Sequence, residues 1–496
     1  MKAIDALLLL ANLLTFFALS FPLPPAARWM HVPAPVALLI AVAQMLAEGP
    51  RWQLVPAYAL AGLFFLLWLR RNVAPAEGAV GKKRTGQLAA GLAMGLGVLG
   101  LAVSVVLPLA LPVFRFPNPR GPYRIGTVTY HWADGSRQEV FSTDLAARRE
   151  LMVQIWYPAK DSASPRAPYI QNADVVTPVL ARLLHLPEFT LGHLEGVTTN
   201  ARSSAAVSED EPSYPVLIFL EGLGGFRQMN TFQVEHLVSH GYIVAAIDQP
   251  YTAASVVFPD GRQVTGLSKE QINPLIQQSI SPAEKAAGLN GLAYPQGVIP
   301  YLAQDAIFTL DQLVALNQAD PNGILTGRLD QQRVGIFGIS LGGIVGGEAC
   351  RLEPRLQACL VMDAPMPASV VQAGLHQPNM WITRDAQTMR LEGWAQADIA
   401  QTHTTMRAVF ERSLPGGSYF VRVPGMFHLN LTDIPYWSPL FSPLGVTGPI
   451  EGRRAHDIVN AYSLAFFDRH LKGSPAALLD GPANRYPDVL FETRRP

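Results

Sequence analysis

The sequence is poor in charge and has almost no cysteine. Charged residues make up 15% of its 496 residues, and the formal net charge is +0. No basic surface is therefore indicated that would bind nucleic acid. The eleven histidines and two cysteines show neither HExxH nor CxxC spacing, so no metal is implied.

The two cysteines, Cys350 and Cys359, are too few for a disulfide framework. They could pair with each other if this part of the chain is exported to an oxidising compartment. Two buried free thiols are the commoner outcome for such an isolated pair, and we expect that here.

Long apolar stretches are concentrated in the first 115 residues. They cover residues 6–23, 32–47, 52–69 and 86–114. The last is long enough to cross a hydrocarbon core of about 30 Å, whereas the second is short and contains two prolines. A cleaved signal peptide could explain the first stretch but not the other three. The sequence predicts an α-helical transmembrane domain of about four segments over 1–115 and a second domain over 116–496.

Positive charge predicts how these segments are oriented. Five basic residues lie between the third and fourth stretches: Arg70, Arg71, Lys82, Lys83 and Arg84. Arg28 is in the first loop, and only Lys2 and Arg51 lie on the opposite side. Because positive loops stay cytoplasmic, the multi-pass domain should place everything after residue 114 outside the cytoplasm, whether or not the second stretch spans. Acidic residues occur only at segment ends, as Asp5 and Glu48, which favours an anchor over a transporter.

The chain from about Tyr123 onward alternates strand-like and helical patterns. Asp134-Gly135 between two alternating segments predicts a hairpin turn. Continuous apolar runs at 214–222 and 241–250 read as buried strands around a helix at 230–240, and an amphipathic pattern at 302–314 precedes another apolar strand. This order predicts an α/β domain whose mostly parallel sheet is covered by helices on both faces. The chemistry of such sheets lies at the carboxyl ends of the strands.

A serine stands at one of those ends. Residues 338–342 read Gly-Ile-Ser-Leu-Gly, with Ser340 between a predicted strand and a glycine-rich helix. GxSxG alone is a weak signal, but this context is the one that a nucleophile elbow requires. Small residues let the strand and helix approach while the serine is held in an exposed turn.

A serine nucleophile needs an acid, a base and oxyanion donors. Asp363 and Asp385 each end a predicted strand, and both are candidate acids. His428 follows a strand-like run near the end of the domain and is the candidate base. The remaining downstream histidines are less suited: His376 comes too early, and His403, His456 and His470 lie in polar helical segments that predict solvation.

Oxyanion donors are expected from backbone amides. The glycine-rich segment EGLGGFR, 221–227, follows the first core strand, and its amides could point at a ligand. The N–H of Leu341 begins the predicted elbow helix and is the expected second donor.

Four segments in this order resemble one known family. FLEGLGGFR, FGISLGG, LVMDAPMP and GMFHLNLTD are similar to the oxyanion, elbow, acid and histidine motifs of the plasma-type, calcium-independent platelet-activating factor acetylhydrolases, which have the α/β-hydrolase fold. The similarity covers roughly residues 151–471. It implies Ser340 as nucleophile, Asp363 rather than Asp385 as acid and His428 as base, with the N–H groups of Leu223 and Leu341 as oxyanion donors.

The resemblance extends to the residues around the histidine, with two departures. Asn430 and Asp433 match positions two and five residues after the family's histidine. Glu221 stands where many relatives carry histidine, and the multi-span N-terminus is foreign to the plasma enzymes.

The function expected on this basis is that of a membrane-anchored serine ester hydrolase. The resemblance implies removal of short or oxidised sn-2 acyl groups from phospholipids without a cofactor. A general carboxylesterase or polyester hydrolase on the same fold is the alternative, because a catalytic triad does not encode acyl specificity. A catalytically silent membrane sensor is an alternative of another class, supported only by Glu221. The expected partners are an ester substrate and the membrane, and the sequence does not indicate an oligomeric state.

Overall fold

The computed structural model describes residues 3–21, 33–73, 85–413 and 417–494. The chain divides into two compact units. The first comprises 1–114 with 187–197 and 437–440, and the second comprises 115–186, 198–436 and 441–496. Several basic residues used above to predict orientation lie outside the described residues: Lys2, Arg28, Lys82, Lys83 and Arg84.

The first unit is built mainly from four helices: α1 (Ala3–Ser20), α2 (Pro33–Glu48), α3 (Val55–Val73) and α4 (Thr85–Ala110). Three helical segments are long and apolar enough to cross a membrane: Ala3–Ser20, Trp52–Arg70 and Gly91–Ala110. Helix α2 is apolar but has only 16 residues. Three candidate spans are thus present among the described residues, and a fourth stays a prediction.

Polar contacts set the direction of the first helices. Arg51, which follows α2, forms ion pairs with Asp5 at the start of α1 and with Glu48 at the end of α2. These contacts hold the start of α1 beside the end of α2, so the two helices are antiparallel. The Asn12 side-chain amide donates to the carbonyl of Ala57, 3.0 Å away, and ties α1 to α3.

The second unit has a large central sheet and small hairpins. Its strands are β1 (Arg124–Gln138), β2 (Arg148–Ala159), β3 (Arg166–Pro168), β4 (Thr198–Ser203), β5 (Tyr214–Leu220), β6 (Ile243–Asp248), β7 (Ser255–Val257), β8 (Gln263–Thr265), β9 (Ala287–Leu289), β10 (Leu292–Tyr294), β11 (Leu329–Ile339), β12 (Ala358–Met362), β13 (Asn379–Thr383), β14 (Ser418–Arg422) and β15 (Leu490–Arg494). The central sheet has the order β15-β14-β13-β12-β11-β5-β6-β2-β1-β4-β3. Neighbours from β14 through β6 are parallel. Their carboxyl ends therefore lie along one edge.

Helices cover both faces of this sheet. After the four helices of the first unit come α5 (Ala173–Leu183), α6 (Thr231–Ser239), α7 (Lys269–Ile280), α8 (Ile299–Gln318), α9 (Leu341–Leu352), α10 (Ala368–Ala373), α11 (Ala386–Leu391), α12 (Gln396–Arg412), α13 (Ile434–Trp437) and α14 (Gly452–Leu471). Successive strand residues face opposite sides, so Ile218 packs in one core cluster with Leu302 of α8, and Phe219 packs in the other with Phe467 of α14. The predicted mixed α/β architecture with a mostly parallel sheet is confirmed.

The hairpin predicted at Asp134-Gly135 is wrong. Both residues lie inside β1, which continues to Gln138 and pairs antiparallel with β2. The Asp134 carboxylate accepts the Ser136 N–H at 3.0 Å and the Arg137 Nε–H at 2.6 Å, and the register shifts between Asp134 and Gln138. These local bonds produce an irregularity within the strand, and the connection to β2 comes at residues 139–147.

Candidate active site

Ser340 forms the whole connection between β11 and α9. Its backbone angles are φ 54° and ψ −122°, a region that side-chain-bearing residues rarely occupy. A Cβ at Gly338 would lie 2.3 Å from the Gly342 carbonyl oxygen, and one at Gly342 would lie 2.1 Å from the Leu220 carbonyl oxygen. No larger residue fits at either position, because backbone atoms fill the space. The two glycines therefore permit the strained turn that presents the serine at the end of the strand.

Asp363 and His428 meet at the same edge of the sheet. Asp363 directly follows β12, and His428 begins a short 3-10 turn after β14. The Nδ1 atom of His428 lies 2.5 Å from Oδ2 of Asp363, and the Thr383 hydroxyl donates to Oδ1 at 2.7 Å. The Ser340 N–H donates to the carbonyl of Met362 at 2.9 Å, which links the serine turn to the residue preceding Asp363.

Asp363 is held in its ionised form. Burial alone would raise the pKa of this carboxyl, which is 1% exposed. The positive charge of Arg384 and the hydrogen bond with His428 oppose burial and hold the pKa of Asp363 well below its usual range. A carboxylate at this position accepts from Nδ1–H, which leaves Nε2 of the neutral ring available to take a proton.

Backbone amides adjoin Ser340 on two sides. A Cβ at Gly222 would lie 3.3 Å from the Ser340 Cβ, so the loop that carries Leu223 begins directly beside the serine. Leu341 is the first residue of α9, and first-turn amides of a helix have no intrahelical acceptor. In the part of the chain that the structure describes, the Ser340 hydroxyl makes no hydrogen bond with His428. Such bonds are often long before substrate is bound.

Comparison with known proteins shows which enzymes this chain resembles. The sequence profile of the family described as platelet-activating factor acetylhydrolase, isoform II, matches residues 111–277. Platelet-activating factor acetylhydrolase from Gallus gallus is 24% identical over 392 residues, covering 72% of this chain and 84% of the relative. A probable 1-alkyl-2-acetylglycerophosphocholine esterase from Arthroderma benhamiae is 23% identical over 431 residues, covering 81% of this chain and 99% of the relative. The chain described here is an ester hydrolase similar to the platelet-activating factor acetylhydrolases.

A solved esterase structure shares the fold of this hydrolase. The ferulic acid esterase from Streptomyces cinnamoneus superimposes with a TM-score of 0.59 at 27% identity, covering 76% of this chain and 99% of its own. The family profile includes Leu223 but ends before Ser340. The match to this profile therefore does not include the candidate nucleophile, acid and base.

Asn430 and Asp433 hold the histidine loop of the hydrolase. The Asn430 side-chain oxygen accepts the N–H groups of Phe427 at 2.9 Å and Gly448 at 2.7 Å. The Asp433 carboxylate accepts the first two amides of α6, at 2.8 and 3.0 Å. Asn430 thus fixes the backbone next to His428, and Asp433 ties the residues that follow to the start of α6.

Glu221 is buried at the start of the loop that carries Leu223, the candidate oxyanion loop. Its Oε1 accepts the Gln249 N–H at 3.1 Å, and its Oε2 has no hydrogen-bond partner among the residues described. Burial, followed by the nearby charge of Asp248, raises the pKa of Glu221 well above its usual range. Burial at this position of the esterase therefore favours the neutral carboxylic acid over the carboxylate.

Asp385, the other candidate acid, caps a helix. Its Oδ1 accepts the N–H groups of Gln387 at 2.8 Å and Thr388 at 3.0 Å, and its Oδ2 accepts the Thr388 hydroxyl at 2.6 Å. These bonds tie Asp385 to the start of α11, whereas Asp363 is the carboxylate that contacts His428.

The prediction that the later histidines are solvated is wrong for His456. Its ring is buried, stacks on Phe232 at a centroid distance of 3.8 Å and bonds the Thr432 carbonyl through Nε2 at 2.9 Å. The polar pattern of α14 did not reveal that this face packs against α6. His403 is half-buried and contacts the Arg384 carbonyl through Nε2 at 3.1 Å.

Cys350 and Cys359 form a disulfide, contrary to the expectation of free thiols. Cys350 lies near the end of α9 and Cys359 in β12, and both are 1% exposed. The short connection between this helix and strand brings the two sulfurs together. The bond links the helix that begins at Ser340 to the strand that ends at Asp363.

Sequence reasoning missed two residues of the site, Arg384 and Glu392. Arg384 directly follows β13, is fully buried and places a guanidinium nitrogen 2.7 Å from Oδ2 of Asp363. Its other terminal nitrogen forms an ion pair with Glu392, which follows α11. An arginine at the end of an apolar strand was the available signal, since an unpaired cation is rarely buried.

Proposed function

We propose that this chain is a membrane-anchored serine ester hydrolase with Ser340 as nucleophile, His428 as base and Asp363 as acid. The observation that carries the proposal is the 2.5 Å contact between His428 Nδ1 and Asp363 Oδ2 beside the strained Ser340 turn. The intact combination of these groups argues against a silent sensor.

The mechanism uses only groups of the chain. His428 Nε2 takes the Ser340 proton as the serine oxygen attacks the ester carbonyl carbon, and Asp363 stabilises the resulting imidazolium. The amides of Leu223 and Leu341 hold the developing oxyanion. The imidazolium then protonates the leaving alcohol, and a water molecule activated by the same ring releases the acyl group from Ser340.

The proposed location is the membrane, with the hydrolase outside the cytoplasm. Three apolar helices support anchoring, and the basic residues between the third and fourth apolar stretches support the orientation. The Cys350–Cys359 disulfide gives independent support, since such bonds persist mainly in oxidising compartments. The antiparallel pairing of α1 and α2 supports a four-pass arrangement.

The proposed substrates are phospholipids with short or oxidised sn-2 acyl groups. The names of the relatives support this choice, and a tethered hydrolase works close to a lipid surface. A carboxylesterase acting on other esters is the second candidate, favoured by the match to a ferulic acid esterase over nearly all of that chain.

Replacement of the serine tests the catalytic assignment. We expect Ser340→Ala to lower ester hydrolysis by about 10⁴- to 10⁶-fold and to abolish labelling by a fluorophosphonate probe. Ser136→Ala, which changes an exposed serine of β1, should behave like the wild type. A purified Ser340→Ala protein that keeps more than a tenth of the activity would refute the assignment.

A chain-length series separates the two substrate classes. With purified full-length protein in mixed micelles, kcat/KM should fall steeply as the sn-2 chain lengthens from acetyl, since each methylene that does not fit costs about 1 to 3 kcal/mol. No calcium should be needed. A flat or rising profile, or higher activity on feruloyl esters, would favour the second candidate.

A further inference from the structure

Asp363 and His428 belong to a closed ring of polar contacts that also includes Arg384 and Glu392. Asp363 contacts His428 and Arg384 through the same oxygen, at 2.5 and 2.7 Å. Arg384 pairs with Glu392, and both Glu392 carboxylate oxygens lie 3.2 Å from the backbone nitrogen of His428. The ring therefore returns to the histidine from which it started.

The side chain of Trp394 packs against one side of this ring. The guanidinium carbon of Arg384 lies 4.2 Å from the ring centroid of Trp394, a cation–π distance. The same indole lies 5.7 Å from the His428 ring, centroid to centroid. Trp394 thus contacts both the cation and the base.

Helix α11 produces the arrangement. Asp385 caps its first turn, and the chain then reverses at Gly393, where φ is 92°. Glu392, the residue before this reversal, lies beside Arg384, which precedes it by eight residues, and the reversal brings Trp394 against the same guanidinium. The Glu392 side chain is 13% exposed, and that of Arg384 is 0% exposed.

We propose that Arg384 and Glu392 are positioning residues that fix the His428 loop and balance the charge around its imidazole. This inference rests on the proposed function. Asp363 and Glu392 contribute two negative charges and Arg384 one positive charge, so the cluster keeps the net charge of a lone carboxylate. Burial of Asp363 with Arg384 would otherwise leave the imidazolium facing a neutral pair, and Glu392 restores the missing negative charge.

Other charged groups face this cluster from neighbouring elements. His403 of α12 contacts the Arg384 carbonyl, and the charges of Asp363, Arg422 and Arg384 all act on it. Burial is the main cause that lowers the pKa of His403, which favours the neutral form of its ring. Arg422 is paired with Glu492. The acidic side of the activity profile should therefore respond chiefly to Arg384 and Glu392.

The pH dependence of kcat/KM distinguishes an electrostatic role of Arg384 and Glu392 from a purely structural one. Glu392→Gln keeps an acceptor for the His428 N–H but removes a negative charge, so the midpoint of the acidic limb should move down by about 0.5 to 1 pH unit. Arg384→Met removes a positive charge and should move the midpoint up. Arg384→Met/Glu392→Met restores the net charge and should return the midpoint to within about 0.3 unit of the wild type.

The assay uses full-length protein, p-nitrophenyl acetate and a matched control. Asp398→Asn removes an exposed carboxylate from the first turn of the next helix and should leave the midpoint unchanged. Circular dichroism identifies any variant that does not fold, and Glu392→Gln, the mildest change, decides the case if Arg384→Met fails. Midpoints that do not move, or that move in the same direction in both single variants, would overturn the inference.

The proposed function can fail separately. If Ser340→Ala and His428→Ala keep their activity, the catalytic assignment is wrong whatever the midpoints do. If both lose activity and the Glu392→Gln midpoint stays in place, only the role of Arg384 and Glu392 is refuted.

Discussion

Removal of the Cys350–Cys359 disulfide should destabilise the hydrolase unit without stopping catalysis. The bond joins residues nine apart in sequence, and the loop-entropy relation gives about 2.6 kcal/mol of stabilisation for a loop of this length. The second unit has about 370 residues, for which the entropy of unfolding at the melting temperature is roughly 0.8 kcal/mol/K. Dividing the first quantity by the second predicts a decrease in Tm of about 3 °C.

The assay is thermal unfolding of full-length protein in detergent, followed by tryptophan fluorescence. Cys350→Ala, Cys359→Ala and the double variant should all melt about 3 °C below the wild type, because any one replacement removes the whole cross-link. Wild-type protein unfolded with a reductant present is the matched control and should lose a similar amount. Activity at 25 °C should stay within about threefold, since Cys350 lies at the far end of α9 from Ser340.

Two results would refute this reasoning. A double variant that melts within 1 °C of the wild type would show that the bond does not constrain the unfolded chain. Single-variant effects that add up in the double variant would show that packing of each sulfur, rather than the cross-link, accounts for the loss.

Three further predictions concern the acid, the oxyanion loop and the topology. Asp363→Asn should lower kcat by roughly 10² to 10⁴ through loss of control over the imidazole tautomer, whereas the kcat of Asp385→Asn should stay within about tenfold of the wild type. Steady-state kinetics that rank the two variants in reverse would move the acid to Asp385. Because the pKa of Glu221 is raised in the folded state, its stabilising contribution is complete below the unfolded pKa near 4.3 and is lost as pH rises through the folded pKa. Denaturant titrations from pH 5 to 9 should therefore show the wild type losing stability relative to Glu221→Gln, and parallel curves would contradict this. A reporter fused after Pro496 should be active only if it functions outside the cytoplasm, and a cytoplasmic signal would overturn the orientation.

The sequence by itself determined the architecture of the hydrolase and the place of its serine. Continuous apolar strands alternating with amphipathic helices predict a buried parallel sheet. Such strands are apolar on both faces, and each helix has one apolar face that covers them. The glycines around Ser340 can likewise be interpreted from the local sequence, since the turn cannot form with larger residues at 338 and 342. Apolar length identified three of the candidate spans for the same local reason.

Tertiary structure alone decided which distant groups meet. Local patterns do not separate Asp363 from Asp385, and only the family resemblance favoured Asp363. The return of the chain after β14 brings His428 to Asp363, whereas Asp385 bonds the first turn of its own helix. Arg384 appears in the sequence next to Asp385, but in the structure its partners are Glu392 and Trp394, which no local pattern indicates. The disulfide and the burial of His456 have the same origin, because contacts between separate elements depend on packing that no local pattern records.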